Sequence, residues 1–199
     1  MPQSRHVQRW CYRTVIAMVV AIGLLLPVTK IVAAQPISAS ENELLNEFTK
    51  RAKRYISQEH ALPAAKLKPK SDADQLDRER AALREAVQQS RPNAKQGDLF
   101  TAPVANVFRK LMTQTLAGSD RAKIKASLMH AEPSASTDLV VNREYPNRNG
   151  QPIQSVPPTI LQVLPILPKG LEYRIAGKTL AIRDSNANMV VDILPNALP

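Results

Sequence analysis

Two hydrophobic periodicities divide the chain. Across residues 40–128 apolar side chains recur every three to four positions, the spacing of one helix face, whereas across residues 171–194 they alternate with polar ones, the period of a strand. In the first region Leu44, Leu45, Phe48, Ala52, Tyr55 and Ile56 predict a helix. Ser40 and Glu43 have capping-box spacing and place its start, and the pattern fades at His60. Ala73, Leu76, Leu83 and Val87 predict a second helix, capped by Ser71 or Asp72. It should end before Arg91-Pro92, because the residue preceding proline is disfavoured in helix. The strongest stripe, Val104, Val107, Phe108, Leu111, Met112 and Leu116, predicts a third helix. Gly97-Asp98-Leu99-Phe100-Thr101 forms the joint before it, with Thr101 as N-cap, Pro103 in the first turn and Gly118 as the stop. Ser119-Asp120 restarts a shorter basic helix carrying Ile124 and Leu128, which runs out near Glu132-Pro133.

Pro133 to Thr137 marks the change of period. Leu139 to Tyr145 reads as a strand, Pro146 to Gly150 as a turn or exposed loop, and Pro157-Pro158 opens a short helix with Ile160, Leu161 and Leu164 that Pro165 stops. A two-residue turn at Gly177-Lys178 then sets a hairpin register in which Ile175 faces Leu180, Tyr173 faces Ile182 and Glu172 faces Arg183. Tyr173, Ile175, Leu180 and Ile182 share one face, and a one-residue slip would mix the faces. A third strand sends Met189, Val191 and Ile193 to the same core, with Val190 and Leu194 on its other side. The predicted class is α+β: a helical unit of three to four helices over residues 35–132, then a small antiparallel β-meander with one short helix over residues 138–199, packed together.

The amino terminus is different in kind. Residues 1–14 hold three arginines and no acid, residues 15–28 are apolar, and Val32-Ala33-Ala34 supplies small residues before Gln35, so residues 1–34 read as a secretory signal peptide cleaved after Ala34. The apolar run is shorter than the about 20 residues that span a bilayer and is closed by Pro27 and Lys30, so no stable span is expected after cleavage. Cys11 precedes the run, the wrong side for lipid attachment, and with one cysteine there is no intramolecular disulfide. Cleavage would also remove Trp10, the single tryptophan.

The formal charge is +10 from 27 bases and 17 acids. Four of those bases and none of the acids lie in residues 1–34, leaving a modestly basic remainder. With three Phe and four Tyr in all, the chain is poor material for stacking nucleobases, and no specific nucleic-acid partner is expected. Lys50, Arg51, Lys53 and Arg54 cluster on the first helix, as either a solvated face or a docking face for an acidic envelope surface.

Candidate chemistry is sparse. His60 and His130, beside Glu59 and Glu132, are the low-ranking metal candidates, although a helix C-terminus is reason enough for each imidazole. Asp98, Glu144, Asp184 and Asp192 lie in or beside ordered joints. Asp98 and Asp184 fit local turn roles, whereas Asp192, between Val191 and Ile193, calls for Arg174 or Arg183 as a partner. No Gly-x-Ser-x-Gly elbow and no glycine-rich phosphate loop occur, so no catalytic residue is assigned and no cofactor is expected.

Gly97-Asp98-Leu99-Phe100, Pro157-Pro158, Leu164-Pro165-Ile166-Leu167-Pro168, Leu171-Glu172-Tyr173-Arg174, Gly177-Lys178-Thr179-Leu180, Val191-Asp192 and Pro195-Asn196-Ala197 together resemble an uncharacterised family of exported bacterial proteins. That resemblance implies export and domain layout rather than an activity. The Leu-Pro-x-x-Pro brace and the hairpins also look like the terminal module of a periplasmic nickel and cobalt homeostasis family. The expected function is a non-catalytic binding or structural module of the cell envelope, whose partner is a protein or envelope component. The alternatives are periplasmic metal handling through the histidines and a hydrolase using Asp98 and Asp192.

Overall fold

The first helix, α1 (Ala39–His60), begins two residues before the expected position. Ser38 and Ser40 both have a glutamate three residues on, and Ser38 wins: its Oγ accepts from the Glu41 amide at 3.2 Å while the Glu41 carboxylate accepts from the Ser38 amide at 2.8 Å. Glu41 is also held by Lys110 at 2.9 Å, so the same cap ties α1 to a neighbouring helix. Ser40 instead shares a hydroxyl hydrogen bond with Ser38. The computed structural model describes residues 36–65, 72–118, 122–124, 126, 139–146 and 156–199.

A 3-10 turn (Pro63–Ala65) follows α1, and α2 (Ala73–Ser90) is capped by Asp72, whose carboxylate accepts from the Gln75 amide at 2.7 Å. Of its predicted stripe, Leu83 and Val87 are buried, Leu76 is half-buried and Ala73 is exposed. The next helix, α3 (Ala102–Ala117), has Thr101 at its N-cap and Pro103 in its first turn. The Thr101 hydroxyl makes no capping bond and accepts from Arg51 at 3.5 Å instead. Of the shorter basic helix, residues 122–124 are helical and Ile124 is buried, while Ser119, Leu128, His130 and Glu132 lie outside the described residues, as do residues 1–35. The last helix, α4 (Pro158–Leu161), is a single turn that buries Ile160 and leaves Leu161 largely exposed. No helix among the described residues is long and apolar enough to cross a membrane.

The carboxy-terminal strands β1 (Leu171–Ala176), β2 (Thr179–Asp184) and β3 (Met189–Leu194) form an antiparallel sheet in that order. The β1–β2 register is the expected one at every pair, from Ala176 opposite Thr179 to Glu172 opposite Arg183. Gly177 supplies the positive φ of +58° that the tight turn requires. Arg183 and Arg174 both pair with Glu172, at 2.5 and 2.6 Å.

β3 departs from simple alternation. Ile182 pairs with Asp192 but the next residue, Arg183, pairs with Val190, so Val191 is the extra residue of a bulge. Beyond the bulge the faces exchange: Leu194 joins Met189 and Val191 in the main core, and Ile193, expected there, packs on the opposite face.

Leu139 to Tyr145 is not a regular strand. Asn142 adopts φ +62°, and the segment follows the edge of β3 through main-chain bonds from Asn142 to Val190, Val190 to Arg143 and Tyr145 to Asn188, at 2.8 to 2.9 Å. Gln88 Nε2 donates to the Asn142 carbonyl and Asn142 Nδ2 to that of Arg91, which pins the left-handed residue against the end of α2. This segment places Leu139 and Tyr145 over Ala176, Ala181 and Val190 on the outer face of the sheet.

The inner face carries Leu171, Tyr173, Ile175, Leu180 and Ile182 against the helices. All three phenylalanines meet there: Phe48 of α1, Phe108 of α3 and Phe100 of the joint lie with ring centroids 4.9 to 5.5 Å apart, and Tyr173 reaches Phe108 at 6.3 Å. Helices and sheet therefore share one core. Each buried aromatic contributes through both its area and its ring contacts.

Candidate functional site

The β3 bulge turns Asp192 toward the helical side, where it is fully buried. Its carboxylate accepts from the amides of Gly97 at 2.8 Å and Leu99 and Phe100 at 2.7 Å, and from its neighbour Ile193 at 2.8 Å. The expected partners were Arg174 and Arg183; the actual ones are main-chain amides. Both arginines lie across the sheet with Glu172, and the bulge moves Asp192 off that face. Burial pushes the Asp192 carboxyl up, against the four amide donors that pull it down. Gly97 stands at φ +92°, a conformation glycine adopts without penalty, and this lets the loop curl its amides around one anion.

Asp98 lies between two of those amides but does not join them. Its Oδ2 accepts from the Lys95 amide at 3.1 Å and pairs with Arg91 at 3.3 Å. Arg91 also stacks over the Tyr55 ring at 5.0 Å. The Tyr55 hydroxyl donates to Asp184 at 2.7 Å, and burial beside that carboxylate holds the phenol neutral. Asp184 has the expected turn role, accepting from the Asn186 and Ala187 amides at 2.8 and 3.0 Å. One turn further along α1, Glu59 is 2% exposed, accepts from Asn186 Nδ2 at 3.3 Å and leaves Oε2 without a hydrogen bond. Burial, and then the charge of Asp184, raise the Glu59 carboxyl above its ordinary range.

His60 is exposed, its Nε2 3.4 Å from Glu59, while His130 is outside the described residues. Among the described residues no three His, Cys, Asp or Glu side chains come together as a metal-binding group. Glu144, the remaining candidate, pairs with Arg84 at 3.2 Å and accepts from Asn188. Asp98, Asp184 and Asp192 are thus each engaged in holding a loop or a turn. Sequence reasoning missed Tyr55 as the partner of Asp184; its place on the apolar stripe of α1 hid the hydroxyl.

A concavity lies along another face of α1. Asn42, Leu45, Asn46, Thr49 and Lys53, spaced on one helical face, form one wall of an open groove of about 630 Å³, and Val163 to Pro168 form the other. Residues 165–168 belong to no helix or strand and have a proline at each end, and the Tyr173 hydroxyl anchors them by donating to the Pro165 carbonyl at 2.9 Å. Ile166 stands between those prolines and is 89% exposed. Among the described residues of the lining, Lys53 is the one that is charged, and none is an acid or a histidine. The sequence offered a signal for this wall in its proline brace, which reads more simply as support for the sheet.

No family model, curated protein or solved structure matches the chain.

Proposed function

We propose that this chain is an exported, non-catalytic binding module of the cell envelope. The observation that carries the reading is the groove between α1 and Val163–Pro168, whose lining is aliphatic, amide and hydroxyl with one lysine. Its composition suits recognition rather than proton transfer or nucleophilic attack. The carboxylates offered as hydrolytic groups support the same reading, since each is engaged in holding a loop, a turn or a helix. Export rests on the basic, apolar and small-residue order of residues 1–34.

The test is titration of a solubilised envelope extract onto immobilised protein. The proposal expects a partner retained at a saturating, stoichiometric amount and displaced by excess soluble protein. Retention that never saturates, or that soluble protein does not displace, contradicts it.

A further inference from the structure

We propose, building on the reading of this chain as a binding module, that the groove takes an extended segment of a partner protein with aliphatic residues next to a carboxylate. Three features of the groove specify that occupant. The first is shape. From Asn42 to Lys53 the α1 wall rises roughly 16 Å, the length of about five residues of extended chain, and the facing wall has a proline at each end of residues 165–168.

The second feature is the main chain. Prolines at 165 and 168 have no amide hydrogen, and among the described residues Ile166 and Leu167 make no main-chain hydrogen bond to another backbone group. An extended partner laid beside them pairs with those groups in the manner of an added strand. Two prolines and the Tyr173 bond already restrain this wall, which limits the ordering that binding must pay for.

The third feature is chemistry. Leu45, Val163 and Leu167 give the groove its aliphatic contact, and Ile166 presents an apolar side chain to solvent. Lys53 is exposed and gives its end of the groove a positive charge, while Lys50, one turn back and outside the lining, is held by Glu47 at 3.0 Å. Of the acids of α1, Glu41, Glu43 and Glu47 lie in its first half and Glu59 is buried beside Asn186, all of them outside the lining. A carboxylate on the partner therefore sets the direction in which the segment lies.

The experiment uses the full chain and three labelled heptapeptides, each with a Leu-Val-Leu centre flanked on both sides by paired Asp, paired Asn or paired Lys, followed by fluorescence anisotropy. The acidic peptide binds saturably and more tightly than the other two. Lys53→Glu weakens the acidic peptide at least about tenfold and turns the preference toward the lysine peptide, a reversal that only a folded groove can give. Ile166→Asp weakens both the acidic and the asparagine peptides, the acidic one more. Equal binding of the acidic and lysine peptides, or affinities unmoved by both substitutions, overturns the proposal. So does binding to phosphatidylglycerol-containing vesicles but to none of the peptides. A saturable envelope partner whose retention is unaffected by both substitutions sinks the groove inference while leaving the binding-module reading intact.

Discussion

A carboxylate that accepts four main-chain amides cannot be exchanged for its own amide without turning one acceptor into a donor. At Asp192 the exchange places an NH₂ group against the amides of residues 97–100 in a site with no exposure. Asp192→Asn is therefore expected to cost about 2–4 kcal/mol, by loss of charge-assisted bonds and by leaving buried amides unpaired. Asp98→Asn keeps an acceptor for the Lys95 amide and gives up only a partly exposed ion pair, for a cost of about 1 kcal/mol or less. Urea denaturation of the two variants checks the difference. Equal losses would contradict the assignment of Asp192 as the carboxylate that joins the loop to the sheet.

Elements were legible where one local rule governed them. Alternation with a glycine turn fixed the β1–β2 register, and the stripes of α2 and α3 with their prolines and caps fixed those helices. Illegible were the features decided by tertiary contact. Ser38 takes the cap from Ser40 because Glu41 also meets Lys110, and the bulge that redirects Asp192 has no mark in Met-Val-Val-Asp-Ile-Leu. Leu139–Tyr145 has strand-like composition, yet Asn142 breaks it at a positive φ that the end of α2 stabilises. The candidate site was legible to a smaller extent: the proline brace was visible, but that it leaves Ile166 exposed beside α1 depends on the fold.

The packing of α1 on the β2–β3 turn carries a pH dependence. Glu59 titrates in the folded state above its ordinary value of 4.5, with burial and then the charge of Asp184 raising it and Asn186 and His60 opposing. The folded state consequently binds more protons than the unfolded one between those two values, so this group's contribution falls as pH rises through them and the loss is complete above the raised value. Glu59→Gln keeps an oxygen for Asn186 and removes the charge. Its melting temperature should exceed that of the wild type at about pH 8 and match it at about pH 4, with scanning calorimetry as the check. A gain of the same size at both pH values would show that the carboxylate charge is not the cause.

Over the whole molecule, the fastening carboxylates and the open groove lie apart. Buried Asp192 and Asp184 and half-buried Glu172 fasten loop, turn and sheet, and the surface left concave between α1 and the brace contains none of them. Two sequence motifs divide in the same way: Gly97-Asp98-Leu99-Phe100 cradles Asp192, while Leu164-Pro165-Ile166-Leu167-Pro168 walls the groove. An exposed isoleucine held between prolines contributes little to stability, since surface substitutions usually stay within about 0.5 kcal/mol.

The most direct measurement is the affinity of the retained envelope partner for Ile166→Asp protein, read beside its melting temperature. An unchanged melting temperature with binding weakened at least about tenfold is the predicted result. Full affinity in a normally folded variant would contradict the groove as the functional surface of this chain.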